Sequence, residues 1–227
     1  MHFLVLTIVL VAVVFGPGVW VKRVLEKYSR PGDRYRASGA QLARYLLDKG
    51  GMAHVRVEKT EQGDHYDPVE KVVRLTPDKH DGRSLTALTV AAHEVGHAVQ
   101  DHTGYGPLKL RHRLVTSMRS AERLGAGLLM VSPFVGMLTR APSVGILMFV
   151  GGLLTLGTAT LVHLVTLPTE IDASFNRALP LLDEHDVLIE TDRPYARQIL
   201  TAAALTYVAA SLMSLLNVAR WFALLRR

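Results

Sequence analysis

The chain has 227 residues, 49% of them hydrophobic, with a mean hydropathy of +0.21, more apolar than an ordinary soluble domain and pointing to lipid contact. Its 26 Lys+Arg outnumber its 20 Asp+Glu, but 19 of the basic residues fall within 21–123, so the excess reads as a basic face beside anionic lipid and not as a nucleic-acid surface. Cysteine is absent, which excludes disulfides, thiolate metal ligands and a thiol nucleophile, and leaves His, Asp and Glu to carry chemistry.

Residues 3–20 form an uncharged apolar run long enough to cross a bilayer. No Lys or Arg precedes it and no small-x-small cleavage site follows, so residues 1–20 read as a retained membrane anchor rather than a signal peptide. Lys22, Arg23, Lys27 and Arg30 come next, which places the following region in the cytoplasm.

Residues 21–123 then make a domain with enough chain for a modest core. Ser38-Gly39-Ala40-Gln41 reads as a capping box opening a helix over 39–49, ended by Gly50-Gly51. Val55 and Val57 alternate with polar residues as a half-buried strand does, and Val73 and Leu75 repeat the pattern after a turn around Gly63. A strand ahead of the next helix offers an edge to an extended peptide. That helix runs from an N-cap at Ser84 to Gly104, with Leu85, Leu88, Ala92, Val95 and Val99 forming an apolar stripe.

His93-Glu94-Val95-Gly96-His97 lies within this helix. Residues four apart share a helix face, so both imidazoles can reach one metal ion, while Glu94 stands beside them as a proton acceptor for an attacking water. This H-E-x-x-H pattern makes a hydrolase the leading expectation. A zinc site for catalysis takes three protein ligands and keeps one position open, so a third ligand is required from elsewhere in the chain.

Residues 124–166 are apolar except for Arg140 and His163, and Arg140-Ala141-Pro142 marks a turn. The reading is a transmembrane hairpin with spans at about 122–139 and 143–165. Two crossings return the chain to the side of His93 at residues 167–198, where Glu170 and Asp172 appear at once. Two positions diverge by about 200° on a helix, so only one of these carboxylates can face the metal directly. A last apolar stretch over 199–219, within the C-terminal segment 199–227, is a fourth span or a membrane-embedded helix. In sum this is a mainly α membrane protein with about four transmembrane helices and a small α+β domain.

Several blocks carry a family resemblance: Asp64-His65-Tyr66-Asp67-Pro68, then Ala91-Ala92 with the H-E-x-x-H run and Ala98-Val99-Gln100. Leu167-Pro168-Thr169-Glu170, Asp172-Ala173-Ser174 and residues 203–210 follow in order. With these the chain resembles the YugP-type neutral zinc metallopeptidases, membrane proteins distantly similar to HtpX-type peptidases. The resemblance implies a zincin-like peptidase domain and one zinc per chain held by His93, His97 and Glu170, with Glu94 as general base. In HtpX-type enzymes an acid four residues after the ligand glutamate supports a metal-bound histidine. Ser174 occupies that place here, so either Asp172 is the carboxylate that orients an imidazole or no such acid is needed.

The oxyanion partner stays open among His65, Tyr66, Arg177 and Tyr207. Expected partners are protein or peptide substrates, membrane proteins among them, and the lipid bilayer. The expected location is the inner membrane, multi-pass, with the peptidase domain in the cytoplasm. A catalytically degenerate zinc-binding adaptor or holdase is the competing reading, and the presence of Glu94 argues against it.

Overall fold

The computed structural model describes the backbone of residues 2–206, 208 and 209. Two compact units share the chain: one takes 1–17, 110–166 and 207–227, the other Gly18–Lys109 and Leu167–Thr206.

The second unit contains the capped helix foreseen from sequence. Helix α2 (Gly39–Lys49) follows α1 (His2–Lys27), and Ser38 Oγ accepts from the Gln41 amide while the Gln41 side chain accepts from the Ser38 amide. That reciprocal box satisfies two amides which helix geometry leaves without carbonyl partners. Gly51, at φ +70°, turns the chain out of the helix.

Three strands follow: β1 (Arg56–Lys59), β2 (His65–Asp67) and β3 (Val72–Leu75). The sequence suggested two strands around a turn at Gly63. Instead β3 lies in the centre, parallel to β1 and antiparallel to β2, with Val57 opposite Val73 and Tyr66 opposite Val73 on the other side. β2 escapes a periodicity reading because it is three residues long and buries only Tyr66. Its outer position leaves one edge of the sheet on β2.

After a short α3 (Pro77–His80) comes α4 (Leu85–His102), capped by Ser84 Oγ accepting from the Ala87 amide and followed by Gly104 at φ +70°. Its apolar stripe packs with Leu42, Leu46 and Leu47 of α2, Val73 and Leu75 of β3, and Leu179 and Leu182 of a later helix, α7 (Leu179–Glu184). A second cluster joins Val21 and Val24 of α1 to Leu85 and Val90 of α4 and to Ala196, Ile199 and Ala202, which lie in the helical stretch over 193–206. Both faces of α4 are therefore covered, and nearly its whole length is buried.

In the first unit, α5 (Gly106–Leu138) and α6 (Pro142–Ile171) form a hairpin whose turn falls at Arg140-Ala141-Pro142, with Arg140 at φ +52°. Small residues let the arms close: a Cβ on Gly152 would lie 2.7 Å from Leu129 and 2.9 Å from the Gly125 carbonyl. The hairpin exposes Met130, Phe134, Met137, Leu138, Ile146 and Leu147.

The expectation of a membrane protein with about four transmembrane helices requires correction. Among the described residues, no helix is long and apolar enough to cross a membrane. In α5 the cause is visible: Lys109, Arg111, Arg113, Arg119, Glu122 and Arg123 all fall within residues 106–123. The apolar remainder, 124–138, contains Pro133 and rises only about 22 Å, against a hydrocarbon core of about 30 Å. The fourth expected segment, 199–219, lies largely outside the described residues, as does Tyr207.

One ion pair fastens the second unit. Asp192, 1% exposed, accepts from Arg34 Nε at 2.5 Å and Nη2 at 2.6 Å and from Tyr35 Oη at 2.6 Å. The Arg34 hydrogen bonds hold the Asp192 carboxyl below the usual carboxylate range, while burial and the Asp192 contact push the Tyr35 phenol up to about 12. A carboxyl depressed on folding stabilises the native state above its unfolded pKa of about 3.9, and that contribution is lost as pH falls through the lower folded value. Asp192→Asn is accordingly expected to lower the melting temperature by a few degrees (~2–8 °C) at pH 7, with the gap from wild type closing below about pH 4. A gap that is constant from pH 7 to pH 3 in thermal melts contradicts the assignment.

Candidate metal centre

The H-E-x-x-H residues sit in the buried middle of α4: His93 is 4% exposed, Glu94 6% and His97 4%. The imidazole centroids of His93 and His97 are 4.8 Å apart, as a four-residue helical spacing allows. Glu170, near the end of α6 and 1% exposed, brings Oε2 to 3.2 Å from His93 Nε2 and 3.3 Å from His97 Nε2. One ligand atom from each of the three residues lies within 4.8 Å of the others.

The segment after Glu170 is a π-helix, Asp172–Ala178, a form that recurs at functional sites. It lies against α4 at Gly96, where an added Cβ would stand 2.5 Å from the Ala173 carbonyl oxygen. Glycine between the two histidines is thus what lets the backbone carrying the third carboxylate approach so closely.

Hydrogen bonds around the cluster determine which ring nitrogens point inward. Gln100 Nε2 donates to the Thr169 carbonyl and to Asp172 Oδ2, each at 2.8 Å. The Gln100 oxygen therefore faces His97, and His97 Nδ1–H donates to it at 2.9 Å. Likewise Ser174 Oγ donates to the Leu200 carbonyl at 3.3 Å and so accepts from His93 Nδ1–H at 3.0 Å. With both Nδ1 atoms protonated, both Nε2 atoms present lone pairs toward Glu170 Oε2. Three electron-pair donors converging in a buried space are an arrangement that a cation neutralises, and two imidazoles with one carboxylate suit zinc. The residues fit a single metal ion.

Asp172 completes the arrangement on the side away from the cluster. It accepts from Gln100, from Asn176 Nδ2 at 3.0 Å and from Arg177 Nε at 3.4 Å. Burial pushes its carboxyl up, but the hydrogen bonds from Gln100 and Asn176 and the charge of Arg177 outweigh that and hold it below the usual carboxylate range. Asp172 and Arg177 thus bear on His97 through Gln100.

Tyr66 donates from Oη to Asp101 Oδ2 at 2.7 Å, sharing that carboxylate with Lys71 Nζ at 2.5 Å. Burial first, then Asp101, pushes the phenol far above its ordinary value, so it stays protonated. His65 Nδ1 is 2.8 Å from the Gly63 carbonyl. The first contact ties Tyr66 of β2 to α4, and the second ties His65 to the loop before β2.

Sequence reading missed Gln100 and the partnership of Ser174 with His93. A signal for Gln100 existed, since it lies three residues after His97 and hence on the same helix face. Removing a group that fixes a ligand imidazole costs about 10–100-fold in metal affinity. Gln100→Leu is expected to weaken zinc binding by that factor, read by competition with a zinc chelator; an unchanged dissociation constant contradicts the proposed relay.

A buried metal centre made of two helix-borne histidines and a glutamate from a second helix is the architecture of a zinc hydrolase. The chain belongs to the family described as "Putative neutral zinc metallopeptidase", whose model matches residues 3–226. It is 38% identical over 223 residues to the "Putative membrane protease YugP" of Bacillus subtilis (strain 168), a match covering 97% of this chain and 95% of that relative. No solved structure matches the chain.

Proposed function

We propose that this protein is a zinc metalloendopeptidase that cuts peptide bonds with Glu94 as general base, working at a membrane from its cytoplasmic side. The observation that carries the reading is the convergence of His93 Nε2, His97 Nε2 and Glu170 Oε2 in a buried space on the helix that also bears Glu94.

His93, His97 and Glu170 would hold the zinc, whose chemistry when bound is to lower the pKa of water toward ~7 and polarise a carbonyl. Glu94 accepts the proton of the attacking water and passes it to the departing amine. Gln100 and Ser174 keep both imidazoles in the tautomer that turns Nε2 inward. The outer edge of β2 gives an extended substrate backbone a strand to pair with.

Action at a membrane draws support from the relative's name, from the basic residues concentrated in 21–123, and from the apolar side chains exposed along the α5–α6 hairpin. The test is hydrolysis of unfolded casein by the purified full-length chain, before and after zinc is stripped with a chelator and restored. Cleavage that disappears on stripping and returns with zinc supports the reading. A zinc-loaded chain that cuts nothing in a broad panel of unfolded substrates replaces it with a metal-binding adaptor.

A further inference from the structure

A cavity of about 300 Å³ opens where α1 ends, built from residues that the metal centre does not use. Its charges do not balance. Lys27, Arg30 and Arg34 line it, and Asp192 is the one acid among the lining residues. Both Asp192 oxygens are already engaged by Arg34 and Tyr35. Lys27 and Arg30 are therefore surplus cations at the cavity wall.

The walls are also fixed in place. Tyr28 stacks on Tyr195 with centroids 5.1 Å apart, and Tyr28 Oη donates to Gln198 Oε1 at 2.5 Å. Lys27 Nζ stands 4.9 Å from the Tyr28 ring centroid, a cation–π contact that restrains the ammonium without neutralising it. Arg34 spends Nε and Nη2 on Asp192, which anchors the guanidinium and leaves the Nη1 donors for another acceptor.

A helix C-terminus would ordinarily repel an anion through its exposed carbonyls. Here three of the last four are occupied: the Leu25 carbonyl accepts from Thr86 Oγ1 at 2.9 Å and Ser29 Oγ at 2.8 Å, the Val24 carbonyl from the Tyr28 amide, and the Glu26 carbonyl from the Ser29 amide. What remains at the cavity is positive charge on pre-positioned donors, with a flat aromatic wall. From this we infer that the cavity binds a phosphate anion, carried either by free phosphate or by a lipid headgroup. Arginine and lysine donors match tetrahedral phosphate oxygens, and prior anchoring of the donors lowers the entropy lost on binding.

The experiment uses the zinc-loaded full-length chain and two probes. Inorganic phosphate is titrated by calorimetry, and flotation is measured with phosphatidylglycerol–phosphatidylcholine vesicles against pure phosphatidylcholine vesicles. Lys27→Ala and Arg30→Ala are compared with Lys49→Ala, which removes the same charge from the end of α2, away from the cavity lining. Zinc content serves as the check on folding, since all three side chains lie outside the metal centre. The expected result is binding that each cavity variant weakens about tenfold and Lys49→Ala leaves unchanged. Binding of phosphate itself assigns free phosphate chemistry to the cavity; binding confined to phosphatidylglycerol vesicles assigns the headgroup. Absence of binding to both probes, or an equal loss in Lys49→Ala, overturns the inference.

Discussion

Replacing Glu94 by glutamine is expected to lower peptide hydrolysis by about 10²–10⁴-fold while zinc content stays at the wild-type level. The amide has the shape of the carboxylate but cannot accept the proton of an attacking water. Glu94 is 6% exposed, and glutamine fills the same volume there. The zinc ligands are untouched, and the substitution therefore separates chemistry from metal binding. Full activity in Glu94→Gln would remove the general base from the account. Loss of zinc along with activity would instead mean that Glu94 helps to build the site.

The second large effect is expected at Gly96. Its missing side chain lies against the π-helix backbone, where a Cβ would come within 2.5 Å of the Ala173 oxygen and 3.3 Å of the Ala173 carbon. Backbone cannot rotate aside as a side-chain tip can, so Gly96→Ala must push Asp172–Ala178 away from α4. Overpacking of this kind costs about 1–3 kcal/mol. More telling is what moves: Ser174 is in the displaced segment and Glu170 lies two residues before it. The variant is expected to lose at least tenfold in zinc affinity together with a lower melting temperature. Gly127→Ala, where an added Cβ meets nothing within 4 Å, is the control and is expected to be neutral or slightly stabilising. Wild-type zinc affinity in Gly96→Ala contradicts the close approach on which the site depends.

Local rules carried the reading of the sequence wherever a feature is decided within a few residues. The Ser38–Gln41 box, the Ser84 cap, the Gly104 exit and the 140–142 turn are of that kind, and all four are present. So is the pairing of His93 with His97, which follows from helix pitch. Glu170 and Asp172 were reached together by a different route, the idea that an antiparallel excursion returns the chain to its starting side, and the family resemblance then singled out Glu170. Arms of 33 and 30 residues are nearly equal, so the hairpin ends near where it begins.

What sequence did not disclose depends on contacts remote along the chain. The parallel pairing of β1 with β3 is decided by burial against α2 and α4, which no alternation pattern encodes. A π-helix has no compositional signature of its own, and here it reflects the fit of Ala173 over Gly96. Ser174 looked like a missing acid, yet its hydroxyl passes a hydrogen bond from His93 to the Leu200 carbonyl. The span read over 122–139 failed for a reason of scale: the helix that contains it is charged through its first half. Apolar runs report hydropathy, and only the helix they belong to shows whether that hydropathy is continuous enough to cross.

The central claim is that His93, His97 and Glu170 together hold one zinc. Zinc-edge X-ray absorption on the purified full-length chain, beside Glu170→Ala, tests it most directly. The account predicts one zinc per chain with two imidazoles among light-atom ligands, and a loss of zinc or a changed first coordination sphere in Glu170→Ala. A wild-type chain without zinc, or a spectrum identical in the two proteins, contradicts it.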